Sequence, residues 1–136
     1  MTKYHNNVWR SFEQDGYFVF GSNLAGRHGA GAAKWAEQHY GAIYGKKTGE
    51  QGSSYAIPTK DGDIQTLPLS TIQEYIDDFI EWAADNFEDT FFVTQIGCGL
   101  AGYTKEQIAP MFKGAPENCV FPIEWKKILD TISNLS

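Results

Sequence analysis

The sequence predicts an α/β fold of three layers, in which a mostly parallel mixed sheet is covered by helices on both faces. Strand-like and helix-like segments alternate four times along the chain, an order typical of a parallel sheet with helical connections. The first of the strand-like segments is apolar throughout, as expected for a strand buried on both faces. Two strand-like segments run directly into glycine-rich segments, the first glycine loop (residues 21–31) and the second glycine loop (residues 97–103).

Four strands and four helices are expected. The strands are predicted at residues 17–20, 54–57, 91–96 and 118–122, with Pro58 closing the second strand. The helices are predicted at residues 30–40, 70–86, 104–112 and 125–135. Residues 45–52 read as a loop. The helix at 70–86 carries one apolar stripe at helical spacing, and Ser70 or Thr71 is expected to open it with a capping box; Thr104 with Gln107 is expected to do the same for the third helix.

Length and charge limit the classes of function. The 136 residues fit one domain spanning residues 1–136. The net charge of −6 argues against binding to a nucleic-acid backbone, which requires a basic face, but not against a small phosphorylated ligand. Cys98 and Cys119 lack the spacing of a zinc motif and have no nearby pair of histidines, so no metal site is expected.

The location of the protein is predicted from what the sequence lacks. We see no apolar leader at the N-terminus and no apolar run long enough to cross a bilayer. The expected location is therefore the cytoplasm, with no membrane partner. The sequence does not define an oligomeric state.

The first glycine loop supplies candidate ligand-binding residues of three kinds. Small residues let backbone N–H groups at a helix N-terminus approach a phosphate, and a guanidinium can fold over it. The Asn23 amide suits ribose hydroxyls, although an Asn here is equally explained as a turn residue. His28 is a candidate general acid or base, or else an exposed loop residue. The candidates in this loop are Gly21, Asn23, Arg27, His28, Gly29, Ala30 and Gly31.

The second glycine loop is predicted to form the opposite wall of the same site. Cys98 is a nucleophile only if a helix N-terminus lowers its pKa, and the simpler interpretation is a small residue in a crowded loop. Tyr103 either lies beside a ribose or packs on the helix that follows it. The candidates in this loop are Gly97, Cys98, Gly99, Leu100, Ala101, Gly102 and Tyr103.

Thr59, Lys60 and Asp61 follow the second strand and should lie at the same sheet edge as the glycine loops. Lys60 or Asp61 is a candidate ligand contact. A plain turn over residues 60–63 explains the same residues equally well.

The two glycine loops resemble those of macro domains, the α/β modules that bind ADP-ribose, and the chain is also similar to a compact group of small bacterial and phage proteins that carry both loops. The resemblance covers residues 17–121 in element order, with detailed matches at residues 23–33 and 96–103. It implies that a diphosphate lies between the two loops. It also implies that Asn23 faces the distal ribose, that residues 29–33 cradle phosphate and that residues 99–103 form the opposite wall.

The chain departs from macro domains at two acidic positions. Those that hydrolyse ADP-ribose linkages often carry an Asp in the turn that opens the helix, where this chain has Ala30. The acid that reads adenine has no counterpart here other than Asp15. The resemblance therefore favours binding over catalysis. Asn23 and His28 are the candidates for any catalytic role, and Asp61 is a further candidate for the general acid or base of a hydrolase.

The leading interpretation is a domain that binds ADP-ribose, or a related NAD-derived nucleotide, with no separate cofactor. The first alternative is a hydrolase that removes ADP-ribose from a macromolecule or a small molecule. A Rossmann-type NAD enzyme ranks below both, because Gly26, Gly29 and Gly31 do not have the GxGxxG spacing. An enzyme built on Cys98 and a protein that only binds partners through Trp82, Trp125 or the terminal segment complete the alternatives.

Overall fold

A computed structural model describes residues 2–12, 15–27 and 31–135. Its centre is a six-stranded sheet with the strand order β1-β6-β5-β2-β4-β3. All neighbouring strands pair in parallel except β3, which pairs antiparallel with β4. The predicted mixed, mostly parallel sheet is therefore confirmed. The strands are β1 (Lys3–His5), β2 (Tyr17–Asn23), β3 (Gly49–Gln51), β4 (Ser54–Lys60), β5 (Phe91–Val93) and β6 (Cys119–Pro122).

Helices cover both faces of the sheet, as predicted. In the described part of the chain the α-helices are α1 (Gly31–His39), α2 (Leu69–Asp85), α3 (Lys105–Ile108) and α4 (Lys126–Leu135). Alternate strand residues enter two separate cores: Val19 packs in the core beneath α2 and α4, whereas Phe18 and Phe20 pack beneath α1. This alternation explains why β2 is apolar on every residue up to Phe20. Within the described residues, no helix combines the length and apolarity needed to cross a bilayer.

Two strands were not predicted because neither carries an apolar pattern. β1 reads Lys-Tyr-His and lies at the sheet edge beside β6. β3 reads Gly-Glu-Gln within the segment expected to be a loop, and its pairing with β4 creates a strand that its own propensity does not favour.

The ends of β4 and β5 also differ from the prediction. β4 continues through Pro58 to Lys60. Pro58 has no N–H to donate, and the strand accommodates it because the register of β2 against β4 shifts between Ser22 and Asn23, opposite the proline. β5 ends at Val93, three residues earlier than expected, and the Thr94 hydroxyl then donates to the Val19 carbonyl at 2.8 Å.

Helix α2 keeps its predicted stripe, with Ile72, Ile76, Phe79 and Ala83 buried. Its capping boxes do not form, since the helix begins at Leu69 after Pro68 and no side chain caps it. The Thr104–Gln107 capping box of α3 is confirmed. This helix gives way to a 3-10 turn at Ala109–Phe112, because Pro110 cannot continue the α-helical hydrogen bonding.

Candidate functional site

Both glycine loops line one cleft of about 630 Å³. The residues in its wall lie at or shortly after the carboxyl ends of β1, β2, β4 and β5, and at the start of α1. Crevices at this edge of a parallel sheet are where α/β proteins place ligands. The described wall consists of Asn7, Trp9, Gly21, Ser22, Asn23, Arg27, Gly31, Ala32, Ala33, Thr59, Lys60, Ile64, Thr94, Gln95, Ile96, Gly97, Cys98, Gly99, Leu100 and Ala101.

The first glycine loop is closed by the side chain of Asn23. Its Nδ2 donates to the Arg27 carbonyl at 2.8 Å, and its Oδ1 accepts the Arg27 N–H at 3.0 Å. These are the hydrogen bonds expected if Asn23 is a turn residue. The amide still has a second N–H and a second lone pair with which to reach a ligand.

Gly26 fixes the first glycine loop against a neighbouring segment. Its φ is +71°, and a Cβ built on it would lie 2.5 Å from the backbone carbon of Gly45. The Gly45 N–H donates to the Gly26 carbonyl at 2.7 Å. Only a glycine fits this backbone approach.

The second glycine loop presents backbone donors. The N–H groups of Gly99, Leu100 and Ala101 have no hydrogen-bond acceptor within the described part of the chain. The loop itself is held by bonds from Tyr103 N–H to the Gly97 carbonyl at 2.9 Å and from Gly102 N–H to the Gly99 carbonyl at 3.0 Å. Three neighbouring unpaired donors in a cleft wall suit an anionic ligand.

The charged side chains of the cleft wall are all cationic in the residues that the structure describes. Arg27 and Lys60 line the cleft, and no Asp, Glu or His does so among those residues. The whole chain carries a net charge of −6, and the acidic residues that the structure describes lie outside the cleft wall. The cleft therefore combines two cations with free backbone donors in a protein that is acidic elsewhere.

Cys98 lines the cleft as a protonated thiol. Burial, with a smaller contribution from the charge of Glu106, raises its pKa to about 11. A thiol of this kind is a weak nucleophile near neutral pH, which argues against an enzyme built on Cys98. Burial likewise raises the pKa of Cys119 to about 12, and both cysteines are free.

The structure brings most of the predicted site residues together. Gly21, Asn23, Arg27 and Gly31 from the first glycine loop face one cleft with residues 97–101 from the second. Thr59 and Lys60 also line it. His28, Gly29 and Ala30 lie outside the described residues.

Other candidates lie away from the cleft. Gly102 and Tyr103 are not in its wall; the Tyr103 hydroxyl donates to the Leu67 carbonyl at 2.7 Å and its ring packs against the core. Asp61 stabilises a turn, because its Oδ1 accepts N–H groups from Asp63 and Gln65, both at 2.9 Å. Asp15 is exposed and is not part of the described wall, which argues against a role as an adenine-reading acid in this cleft.

Several wall residues were not predicted from the sequence, above all Asn7, Trp9, Ile64 and Gln95. Asn7 donates from Nδ2 to the Glu124 carboxylate at 2.6 and 2.9 Å, and its N–H donates to His5 Nδ1 at 3.0 Å. Gln95 lies two residues after the buried strand β5, and this position in the sequence could have identified it as a wall residue. Asn7 and Trp9 follow a strand that the sequence did not reveal.

The described residues contain no group of three or more His, Cys, Asp and Glu side chains able to hold a metal ion. The donors in the cleft wall are amides, hydroxyls and cations, which suit an anionic organic ligand better than a cation.

Comparison with known proteins identifies the fold. No protein-family model matches the sequence, and no curated protein is detectably similar to it. Among solved structures, the macrodomain of Mycobacterium tuberculosis DarG superposes with a TM-score of 0.66 at 17% identity, over 90% of this chain and 97% of that one.

Two further structures of similar fold are described in complex with nucleotides. Thermosipho africanus DarTG in complex with ADP-ribose gives a TM-score of 0.58 at 14% identity, over 82% of this chain and 39% of that one. The Trypanosoma brucei macrodomain in complex with ADP gives 0.58 at 14%, over 88% and 64%. This chain therefore has the macro-domain fold, as the resemblance of its glycine loops implied.

Proposed function

We propose that this protein binds ADP-ribose, or a closely related nucleotide diphosphate ribose, in the cleft between its two glycine loops. The observation that carries the proposal is the composition of the cleft wall. Unpaired N–H groups of Gly99, Leu100 and Ala101 lie in the same cleft as Arg27 and Lys60, and the described wall has no carboxylate to repel a diphosphate.

The size and the fold support the same ligand. A cleft of about 630 Å³ falls within the usual range for small-molecule sites, roughly 300–1,000 Å³. Two proteins with this fold are described in complex with ADP-ribose and with ADP. A nucleotide diphosphate ribose would thus place its phosphates where this chain concentrates its donors.

The strand order distinguishes the two ends of the cleft. Asn7 and Trp9 follow β1, whereas Thr59, Lys60 and Ile64 follow or end β4, on the other side of the central strands β5 and β2. Trp9 offers an aromatic surface for a base. We therefore place the adenine toward Trp9, the diphosphate between the loops, and the distal ribose toward β4.

A charge-insertion variant tests this proposal. Gly99 has an ordinary φ, and a Cβ added to it would meet nothing within 4 Å, so Gly99→Asp should fold normally while adding a carboxylate to the cleft wall. We expect isothermal titration calorimetry to show ADP-ribose binding to the wild type and at least about tenfold weaker binding to Gly99→Asp, or about 1.4 kcal/mol.

Gly62→Asp is the matched control. Gly62 is equally open, and it lies outside the cleft wall. Its variant should bind as the wild type does. Absence of measurable heat and of any thermal shift with ADP-ribose in the wild type would contradict the proposal, as would equal losses in the two variants.

The described cleft wall favours binding over hydrolysis of the ligand. It contains no carboxylate or imidazole that could serve as a general base, and Cys98 stays protonated. The catalytic roles of Asn23 and His28 stay predictions. Release of ADP-ribose from a modified protein or nucleic acid, lost in His28→Ala while binding is retained, would establish the hydrolase alternative.

We also propose that the protein works in the cytoplasm of a bacterium or of a phage-infected cell. Two free cysteines are typical of a reducing compartment. The resemblance of the glycine loops to small bacterial and phage proteins supports the source.

A further inference from the structure

His5 connects the cleft wall to the centre of the sheet. Its Nε2 lies 2.7 Å from the Val93 carbonyl on β5, and its Nδ1 lies 3.0 Å from the Asn7 N–H. A carbonyl only accepts and a backbone N–H only donates, so the neutral ring carries its proton on Nε2. Asn7 lines the candidate cleft, whereas His5 lies behind the described wall.

Asn7 is held by two anchors. Its φ is 61°, a left-handed conformation that asparagine tolerates, and its N–H is bound by the His5 ring. Its Nδ2 donates to both carboxylate oxygens of Glu124, at 2.6 and 2.9 Å. Trp9 lies two residues further on and lines the same cleft. The position of this part of the wall therefore depends on the bonds that Asn7 makes to His5 and Glu124.

A proton added to His5 acts against both anchors. The doubly protonated ring presents Nδ1–H to the Asn7 N–H, so two donors face each other and their hydrogen bond is lost. The positive ring also attracts the Glu124 carboxylate and competes with the Asn7 amide for it. Burial lowers the pKa of His5 and the charge of Glu124 opposes this, as expected if the carboxylate stabilises the protonated ring.

The other groups packed around the His5 ring are uncharged. Pro122 lies opposite His5 in the register of β1 against β6, and the Phe12 ring is 4.7 Å from the imidazole between centroids. On β5 the contact is the Val93 carbonyl. A positive charge on the ring therefore acts on Glu124 and on the dipoles of the groups that it contacts.

Charged side chains on β1, after it and on α4 are kept from the ring by solvent or by the sheet. Lys126 and Asp130 of α4 contact Tyr4, whose side chain points to the opposite face of β1. Lys3 and Arg10 are exposed. The effect of protonation is thus concentrated on the contacts that hold the cleft wall.

We propose that His5 is a pH-sensitive positioning residue, whose protonation releases Asn7 and weakens nucleotide binding in the candidate cleft. The inference rests on the proposed function. Coupling between the proton and the nucleotide is reciprocal, so a ligand that binds the ordered wall also opposes protonation of His5. Because burial lowers the pKa of this imidazole below its usual 6.5, the ring is neutral at pH 7 and the affinity falls only under acidic conditions.

Calorimetry with ADP-ribose from pH 8 to pH 5 tests the coupling. The diphosphate of this ligand is esterified at both ends, so its own charge is constant over the range. We expect the wild-type affinity to be level from pH 8 to pH 7 and to fall at least about threefold by pH 5. His5→Asn offers the Asn7 N–H an acceptor, as in an Asx turn, but does not titrate; its affinity should match the wild type at pH 8 within about twofold and stay level.

His39→Asn is the matched control, because it removes an exposed imidazole outside the cleft wall. Its affinity should fall with pH as that of the wild type does. Equal falls in the wild type and in His5→Asn would overturn the inference, since the proton would then act elsewhere.

Nuclear magnetic resonance of the His5 ring in the folded wild type gives a second readout that needs no variant. The pKa of His5 should be lower in the ADP-ribose complex than in the free protein. An unchanged pKa would overturn the inference while leaving the proposed function intact. A wild type that does not bind ADP-ribose at pH 8 would contradict the proposed function, and the inference with it.

Discussion

The side chain of Asn23 has the bonds of a turn residue and also lies where it can contact a ligand. Its amide closes the first glycine loop through the Arg27 backbone, which is the role of a turn residue, and it also lines the cleft. The sequence left these alternatives open because a turn amide and a ligand amide occupy the same place after a strand. The geometry makes them compatible, since each polar atom of the amide has a second bonding site.

At Cys98 the structure predicts an unreactive thiol. With a pKa raised to about 11 by burial, the thiolate fraction at pH 8 is about 0.1%, compared with roughly a quarter for a thiol of pKa 8.5. We expect iodoacetamide to alkylate Cys98 in the folded protein on the order of 100-fold more slowly than glutathione at pH 8. The rate should rise about tenfold per pH unit up to pH 10, because the thiolate fraction does so below the pKa.

Mass spectrometry of the Cys98 peptide measures this rate, with Cys98→Ser as the blank. Cys98→Ser should retain ADP-ribose binding, because the thiol is not used as a nucleophile. Alkylation at pH 8 as fast as that of glutathione would contradict the described environment of the thiol.

His5 gives the protein a predictable response to acid. Burial lowers the pKa of His5, although the hydrogen bond to the Val93 carbonyl and the charge of Glu124 oppose this. Its Nε2 lies 2.7 Å from that carbonyl and its Nδ1 accepts the Asn7 N–H, so a neutral ring protonated on Nε2 satisfies both contacts.

The unfolded chain takes up a proton on His5 near pH 6.5, before the folded protein does. The free energy of unfolding should therefore fall as the pH drops below about 6.5 and level off once the pH is below the lowered pKa of the folded state. Urea denaturation at pH 8, 7, 6 and 5 measures this. His5→Gln should show a smaller fall over that window, and an identical profile would count against the assignment.

At the scale of elements, the contact between Gly26 and Gly45 supports the first glycine loop. An alanine Cβ at Gly26 would meet the Gly45 backbone at 2.5 Å, whereas an alanine at Gly45 meets nothing within 4 Å. Both glycines have a positive φ, so both substitutions cost the strain of that conformation, about 1–2 kcal/mol.

Gly26→Ala adds the backbone clash and should cost a further ~1–3 kcal/mol. We expect urea denaturation to find Gly26→Ala about 2–5 kcal/mol less stable than the wild type, and Gly45→Ala about 1–2 kcal/mol less stable. Equal losses in the two variants would show that the two segments do not approach as closely as described.

The predictability of each element followed from its burial pattern. The apolar runs of β2 and β5 and the stripe of α2 were visible because both faces of those strands and one face of that helix are buried. β1 and β3 were not visible, since edge strands form by pairing with a neighbour and need no apolar pattern. Pro58 was read as a strand end, but it is accommodated at a register shift that only the partner strand reveals.

At the scale of the whole molecule, some residues of the candidate site could be predicted from local sequence, whereas others reach the site only through the strand order of the sheet. The glycine loops could be predicted because each is a local sequence that follows an apolar strand. Asn7, Trp9 and Ile64 reach the same cleft because β1 and β4 end at the same edge of the sheet as β2 and β5. That arrangement depends on strand order, which the sequence does not state.

A diphosphate lying between the two glycine loops is the central claim for the whole molecule. A crystal structure of the protein grown with ADP-ribose tests this claim most directly. We predict density for the diphosphate within hydrogen-bond distance of the N–H groups of Gly99, Leu100 and Ala101, with the adenine toward Trp9. An empty cleft at a saturating concentration of ADP-ribose, or the nucleotide bound elsewhere on the protein, would contradict it.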